Sequence, residues 1–207
     1  MRRTAVVKIN METILEKIIE KPDLHVRWLN TLSFLEHVGS RKILKTQSSD
    51  YTDPNTLRHA AEEARHAYFF KKVIDKIQPE LPDYSRDNLL CGFSANRYFQ
   101  SLDAMVHKKM KNQKDAARLC YLYVTTLVEE RAGWLYPIYQ KALEKMNSPV
   151  NISGIIQEEE RHLEEMHNGL EDMDKNILDE FLREEERYFQ RYYESLSKYL
   201  AEREVYA

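Results

Sequence analysis

Apolar residues recur along this chain at steps of three and four, the period of an α-helix face, and no stretch shows the strict alternation of a half-buried strand. Met11 to Ile19 reads as a short helix after a frayed start. Pro22 and Asp23 open a longer one, because proline is tolerated at a helix start, and Leu29, Leu32, Glu36, Gly39 and Ile43 share one of its faces. Thr46 to Asn55 is turn chemistry, rich in Ser, Asp and Asn with one proline. A helix from about Asn55 to Lys76 follows, its inner face expected at Leu57, Ala60, Glu63, His66, Phe70, Val73 and Ile77. Pro79 and Pro82 stop it.

Arg86 to Met110 predicts a further helix through Leu89, Phe93, Phe99, Leu102, Met105 and Val106. Another spans about Lys114 to Met146, with a kink expected at Pro137 and a break at Asn147-Ser148-Pro149. The next carries Ile155, Ile156, Glu159, His162, Leu163 and Met166 to about Gly169. The last, about Lys175 to Arg203, presents Leu178, Phe181, Leu182, Tyr188, Phe189, Tyr192, Leu196 and Tyr199 on one broad face. The expectation is an all-α chain whose 207 residues form one domain, with its core bundle at about 24–170.

Composition agrees with helices. Only 5 glycines and 6 prolines interrupt the chain, and 43% hydrophobic residues supply a sizeable core. The 31 basic and 34 acidic residues give a net charge of −3, without the basic excess of a nucleic-acid binder. No apolar run is long enough to cross a membrane. Cys91 and Cys120 form no CxxC pair, and free buried thiols point to a reducing, cytoplasmic setting.

Charged residues at helical spacing then change the picture. Glu62-Glu63-Ala64-Arg65-His66 and Glu158-Glu159-Glu160-Arg161-His162 agree at four of five places, 96 residues apart. Each holds Glu-x-x-His, which sets a carboxylate and an imidazole one turn apart on one helix face. Each also has a glutamate upstream: Glu36 in the first half, Glu129 or Glu130 in the second. Glu129 extends the face of Leu119, Leu122 and Thr126. Glu130 matches Glu36-x-x-Gly39 through Gly133 at an offset of 94, and is preferred on that ground.

The expected metal ligands are therefore Glu36, Glu63, His66, Glu130, Glu159 and His162. Carboxylate oxygen with imidazole nitrogen suits Fe, Mn or Zn, and four glutamates offset the charge of two divalent ions. The third Glu-x-x-His, Glu164 with His167, falls off that face, because His167 is five residues beyond His162. Arg65 and Arg161 point to solvent or to acids beyond the ligands. Tyr68, Tyr98, Tyr121, Tyr123 and Tyr136 are the tyrosines able to approach the centre, and His37 lies beside Glu36. Gly39 and Gly133 leave room next to the site.

From about Trp28 to Gly169 these residues resemble the ferritin-like di-iron carboxylate superfamily, the paired EExRH stretches most specifically. The resemblance implies an antiparallel four-helix bundle with a long crossover, here carrying an extra helix, plus a long C-terminal helix. It implies two iron ions (or a Mn/Fe pair), with Glu63 and Glu159 as bridges. It implies an oxidase or oxygenase that uses dioxygen or peroxide on a small molecule, with an electron donor, as a homodimer. A ferroxidase or iron-handling role is the alternative, and a metal-free structural bundle the third. A rubredoxin-like cysteine tail is missing, and the Arg86–Met110 segment and Tyr-rich last helix differ from cage ferritins.

Overall fold

Two helical hairpins enclose a polar centre, and three further helices brace them. The computed structural model describes residues 2–46, 53–78, 80–170 and 175–205. In chain order the helices are α1 (Arg2–Glu20), α2 (Pro22–Thr46), α3 (Pro54–Ile77), α4 (Gly92–Met110), α5 (Ala116–Lys145), α6 (Ser153–Gly169) and α7 (Lys175–Val205), with a 3₁₀ turn at Arg86–Asn88. Among the described residues there is no strand, and no helix is long and apolar enough to cross a membrane. Helix α1 starts well before the expected Met11. The turn expected over Thr46–Asn55 lies largely outside the described residues.

The hairpins are α2 with α3 and α5 with α6, each pair in extensive contact. Local chemistry sets their ends. Asp53 caps α3, its carboxylate accepting from the Thr56 amide at 3.0 Å, and Pro54 occupies the first turn, where no amide donor is needed. Asn147 ends α5 in the left-handed region (φ 51°), while the Ser148 amide returns to the Leu143 carbonyl at 2.9 Å. Helix α5 runs through Pro137 without a break. Cys91, also left-handed (φ 53°), separates the 3₁₀ turn from α4, so the expected Arg86–Met110 helix is in two pieces.

Helix α4 crosses from one hairpin to the other and packs on α5 and α7, while α1 packs on α5 and α2. The apolar core runs through all seven helices, from Met11, Leu15 and Ile18 through Trp28, Phe70, Leu102, Tyr123 and Tyr139 to Phe181 and Leu196. Three expected core residues stand outside it: Leu57, Ile77 and Phe93 are exposed. On α3 the buried face is instead Thr56, His59, Ala60, Glu63, His66, Ala67, Phe70, Val73 and Ile74. A search for apolar residues misplaces this face, because half of its first three turns is polar.

Helix α7 is fastened by a buried ion pair. Glu185 accepts from the Tyr98 hydroxyl at 2.6 Å and from Arg131 Nε and Nη2 at 2.8 and 2.6 Å. The Arg131 guanidinium lies 4.0 Å from the Phe189 ring centre. Removing Glu185 leaves the mostly buried Arg131 with only the exposed Glu186 carboxylate, at 2.8 Å, and removing Arg131 strands the Glu185 charge. Glu185→Ala is expected to cost about 3–5 kcal/mol in urea unfolding, and the Glu185→Leu/Arg131→Met pair much less. Equal losses in both would contradict this account.

A second buried group gives the fold a pH dependence. His25 lies with Nε2 2.6 Å from the Tyr139 hydroxyl, and burial drives its pKa down to about 4. Between that value and about 6.5 the unfolded chain binds the extra proton, so stability falls as pH falls through this window. The loss should approach about 3 kcal/mol. In urea titrations from pH 7 to pH 4, wild type should lose more stability than His25→Gln by about that amount, whereas parallel curves would refute the assignment.

Candidate metal centre

Four glutamates and three histidines meet in the interior between the two hairpins. Helix α2 supplies Glu36. Helix α3 supplies His59, Glu63 and His66, spaced four and three residues apart along one face. Helix α5 supplies Glu129, and α6 supplies Glu159 and His162. All seven are buried, none more than 8% exposed. Their donor atoms form two groups, Glu36–Glu63–His66–Glu159 and His59–Glu63–Glu129–His162, in each of which the atoms lie within 4.8 Å of one another. Glu63 belongs to both.

The distances place Glu63 and Glu159 between the two groups. Glu63 Oε1 is 3.4 Å from His59 Nε2, 3.5 Å from His162 Nδ1 and 3.9 Å from His66 Nδ1. Glu159 reaches His66 Nδ1 at 2.9 Å with one oxygen and His162 Nδ1 at 3.6 Å with the other. Despite this crowding, Glu63 Oε1, His66 Nδ1, Glu129 Oε2, Glu159 Oε1 and His162 Nδ1 are fully buried and have no hydrogen-bond partner of acceptable geometry. Five such atoms converging on one place would each cost about 1–3 kcal/mol if nothing satisfied them. A cation would satisfy them, so the donor set fits metal ions by chemistry and by placement.

The outward nitrogens of two histidines explain the repeated sequence. His66 Nε2 is 2.7 Å from Glu158, which also accepts from Arg65 at 2.7 Å. His162 Nε2 is 2.7 Å from Glu62, which accepts from Arg161 at 2.7 Å. Each EExRH stretch thus offers its second Glu and its His to the centre. Its first Glu clamps the His and Arg of the other stretch. The clamp directs Nδ1 inward, the arrangement that fixes tautomer and ring orientation in metal-binding histidines. His59 is held likewise, its Nδ1 3.1 Å from the Tyr121 hydroxyl.

Crowding also shifts the titrations. Burial first, then the Glu63 and Glu159 charges, push Glu36 well above the usual carboxylate range. Burial and Glu159 do the same to Glu129. Burial alone would raise Glu159, but the close approach of Glu129, His162 and His66 outweighs it and holds that carboxyl well below its ordinary value. Burial would lower His66, yet Glu159, Glu63 and Glu158 together raise it to about 9. A cation favours ionised carboxylates and neutral imidazoles, so its binding expels protons from this cluster.

Of the six ligands expected from the sequence, the structure brings together Glu36, Glu63, His66, Glu159 and His162. It does not bring in Glu130, whose carboxylate sits at the surface 2.9 Å from His167 Nε2. Glu129 takes that place, on the α5 face that also buries Leu122, Thr126 and Tyr136. The offset of 94 misleads because the two halves are not in strict register. Glu36 precedes Glu63 by 27 residues, whereas Glu129 precedes Glu159 by 30.

His59 is the residue that sequence reasoning missed. Its signal is the His-x-x-x-Glu-x-x-His spacing on α3, which lies outside the repeated pentapeptide. Among the tyrosines, Tyr136 donates to Glu36 and Tyr121 meets His59, while Tyr98 serves Glu185, Tyr123 packs on Phe181 and Tyr68 is exposed. His37 stacks on Tyr84. A Cβ on Gly39 would lie 3.4 Å from Glu63 Oε2, so this glycine does leave space at the centre, whereas one on Gly133 would meet Leu163.

These features define an all-helical protein with buried glutamate–histidine groups positioned to hold metal. In comparisons with known proteins, no family model, no curated protein and no solved structure matches the chain.

Proposed function

We propose that the cluster is a two-iron centre of the ferritin-like carboxylate type and that the protein is an oxidoreductase using dioxygen or peroxide on a small molecule. The observation that carries this reading is the convergence of five partnerless, fully buried donor atoms from three helices, beside Glu36 from a fourth. Glu36, Glu63, His66 and Glu159 would hold one ion, and His59, Glu63, Glu129 and His162 the other, with Glu63 and Glu159 between them. Four carboxylates balance two divalent cations, which is how so much acidic surface is tolerated in a core. When bound, the metals supply redox chemistry and activation of dioxygen or peroxide.

The chain's own residues supply the rest. Glu62 and Glu158 hold the histidines that face inward. Tyr136, donating to Glu36, keeps a phenolic proton beside the centre, and burial with the Glu36 charge raises its pKa well above the ordinary tyrosine value. That proton therefore stays on the phenol, and Tyr136 acts as a fixed hydrogen-bond donor that orients Glu36. A cavity of about 620 Å³ reaches Glu63 and Glu129, room for a drug-sized molecule beside the metals. A centre devoted to iron storage has no use for a cavity of that size, which favours an enzyme.

Glu129 and Glu130 on α5 separate a metal centre from a metal-free bundle. Protein loaded anaerobically with ferrous iron should carry about two ions per chain. Glu129→Ala should lose much of that metal, and Glu130→Ala should keep it. Binding to the native state alone should also raise the thermal midpoint of wild type and of Glu130→Ala. Folded wild type without metal, or equal loss in the two variants, would overturn the proposal. Glu62→Ala and Glu158→Ala should each weaken metal binding by about 10–100-fold in competition titrations with a chelator. Unchanged affinity would show that the paired clamps serve only the fold.

A further inference from the structure

The cavity beside the centre has a polarity that selects its occupant. It lies between α2, α4 and α5, with the carboxylates of Glu63 and Glu129 at its inner end. Its walls are largely apolar, formed by Phe34, Val38, Phe99, Cys120, Val124 and Val128. Helix α2 runs along it from Gly39 at the centre to Thr46, about 10 Å at the rise of an α-helix.

The charges that line it beyond the apolar stretch are mainly basic. Arg41, Lys42 and Lys45 come from α2, and Asp103 and His107 from α4. Lys42 is neutralised by Asp103 at 2.7 Å, and Asp103 also lies 3.7 Å from His107. Arg41 and Lys45 have no acidic partner among the described residues, and both are exposed. The cavity therefore carries carboxylates at one end, an apolar wall in the middle and two uncommitted cations on the outer turns of α2.

We infer that this cavity binds an apolar molecule with a single anionic end, a medium-chain or aryl-terminated monocarboxylate. Its anion lies against Arg41 and Lys45, and its apolar body extends toward Glu63 and Glu129. The inference rests on the proposed centre only for what happens at the inner end. The reverse orientation sets an apolar tail among exposed cations and an anion beside buried carboxylates, both unfavourable. A neutral or cationic end forfeits charge-assisted hydrogen bonds to the guanidinium and ammonium.

Isothermal titration calorimetry on the intact chain, with and without ferrous iron, tests this using octanoate, 4-phenylbutanoate, octanol and octylamine. At least one carboxylate should bind about ten-fold more tightly than octanol, with octylamine weakest on the iron-loaded chain, where the inner carboxylates are committed to metal. Arg41→Ala/Lys45→Ala, on exposed positions, should abolish that advantage while leaving octanol affinity unchanged. Val124→Phe, which fills the wall, should weaken all four, provided its circular dichroism matches wild type. The preference of octanoate over 4-phenylbutanoate, or the reverse, identifies the apolar body as alkyl or aryl. Equal affinity for carboxylates and octanol, or carboxylate binding untouched by both variants, overturns the inference. Carboxylate binding to a chain that takes up no metal would support the cavity assignment and sink the metal centre, so the two failures are distinguishable.

Discussion

Burying four carboxylates in a helical core is the constraint around which this molecule is organised. Glu36, Glu63, Glu129 and Glu159 are each at most 8% exposed and belong to two groups of donor atoms, each within 4.8 Å, that share Glu63. Like charges at such spacing in a poorly solvated interior repel strongly and are tolerated only with compensation. The three imidazoles compensate in part, and they are spent unevenly. Glu159 is held ionised by the neighbouring imidazoles and Glu129, while Glu36 and Glu129 are pushed toward the protonated form. Two divalent cations would compensate fully, which joins the electrostatics of the fold to the proposed chemistry.

The rest of the architecture serves that centre. Helices α2, α3, α5 and α6 deliver its donors, and the crossed Glu62–His162 and Glu158–His66 clamps hold α3 and α6 together from outside. Helix α4 closes the side of the bundle against which the cavity lies. Helix α7 is pinned to α4 and α5 by Glu185, Tyr98 and Arg131, so the wall beside the centre has a rigid backing. The centre also has two unlike positions. One offers a single histidine and the other two, so ions held there would experience different ligand fields.

Much of this was legible in the chain. Helix placement followed from apolar periodicity because nearly every helix buries an apolar stripe, and α3 is the exception that shows why. Its first turns bury Thr56, His59 and Glu63, so Leu57 attracted a prediction that burial does not support. The repeated pentapeptide pointed to Glu63, His66, Glu159 and His162 because its residues serve a symmetric purpose. Glu130 was preferred over Glu129 because repeat matching assumes equal connections, whereas helical phase decides which of two adjacent glutamates faces inward. The Leu122–Thr126–Glu129 face already held that answer. His59 has no counterpart in the second half, so a search for symmetry passes over it.

An iron-edge anomalous difference map from crystals of the iron-loaded protein tests the central claim most directly. The account predicts two peaks inside the bundle, on either side of the Glu63 carboxylate, one near His66 and the other near His59 and His162. Crystals that show no peak within this cluster, or peaks only at surface acids such as the Glu130–His167 pair, would contradict it.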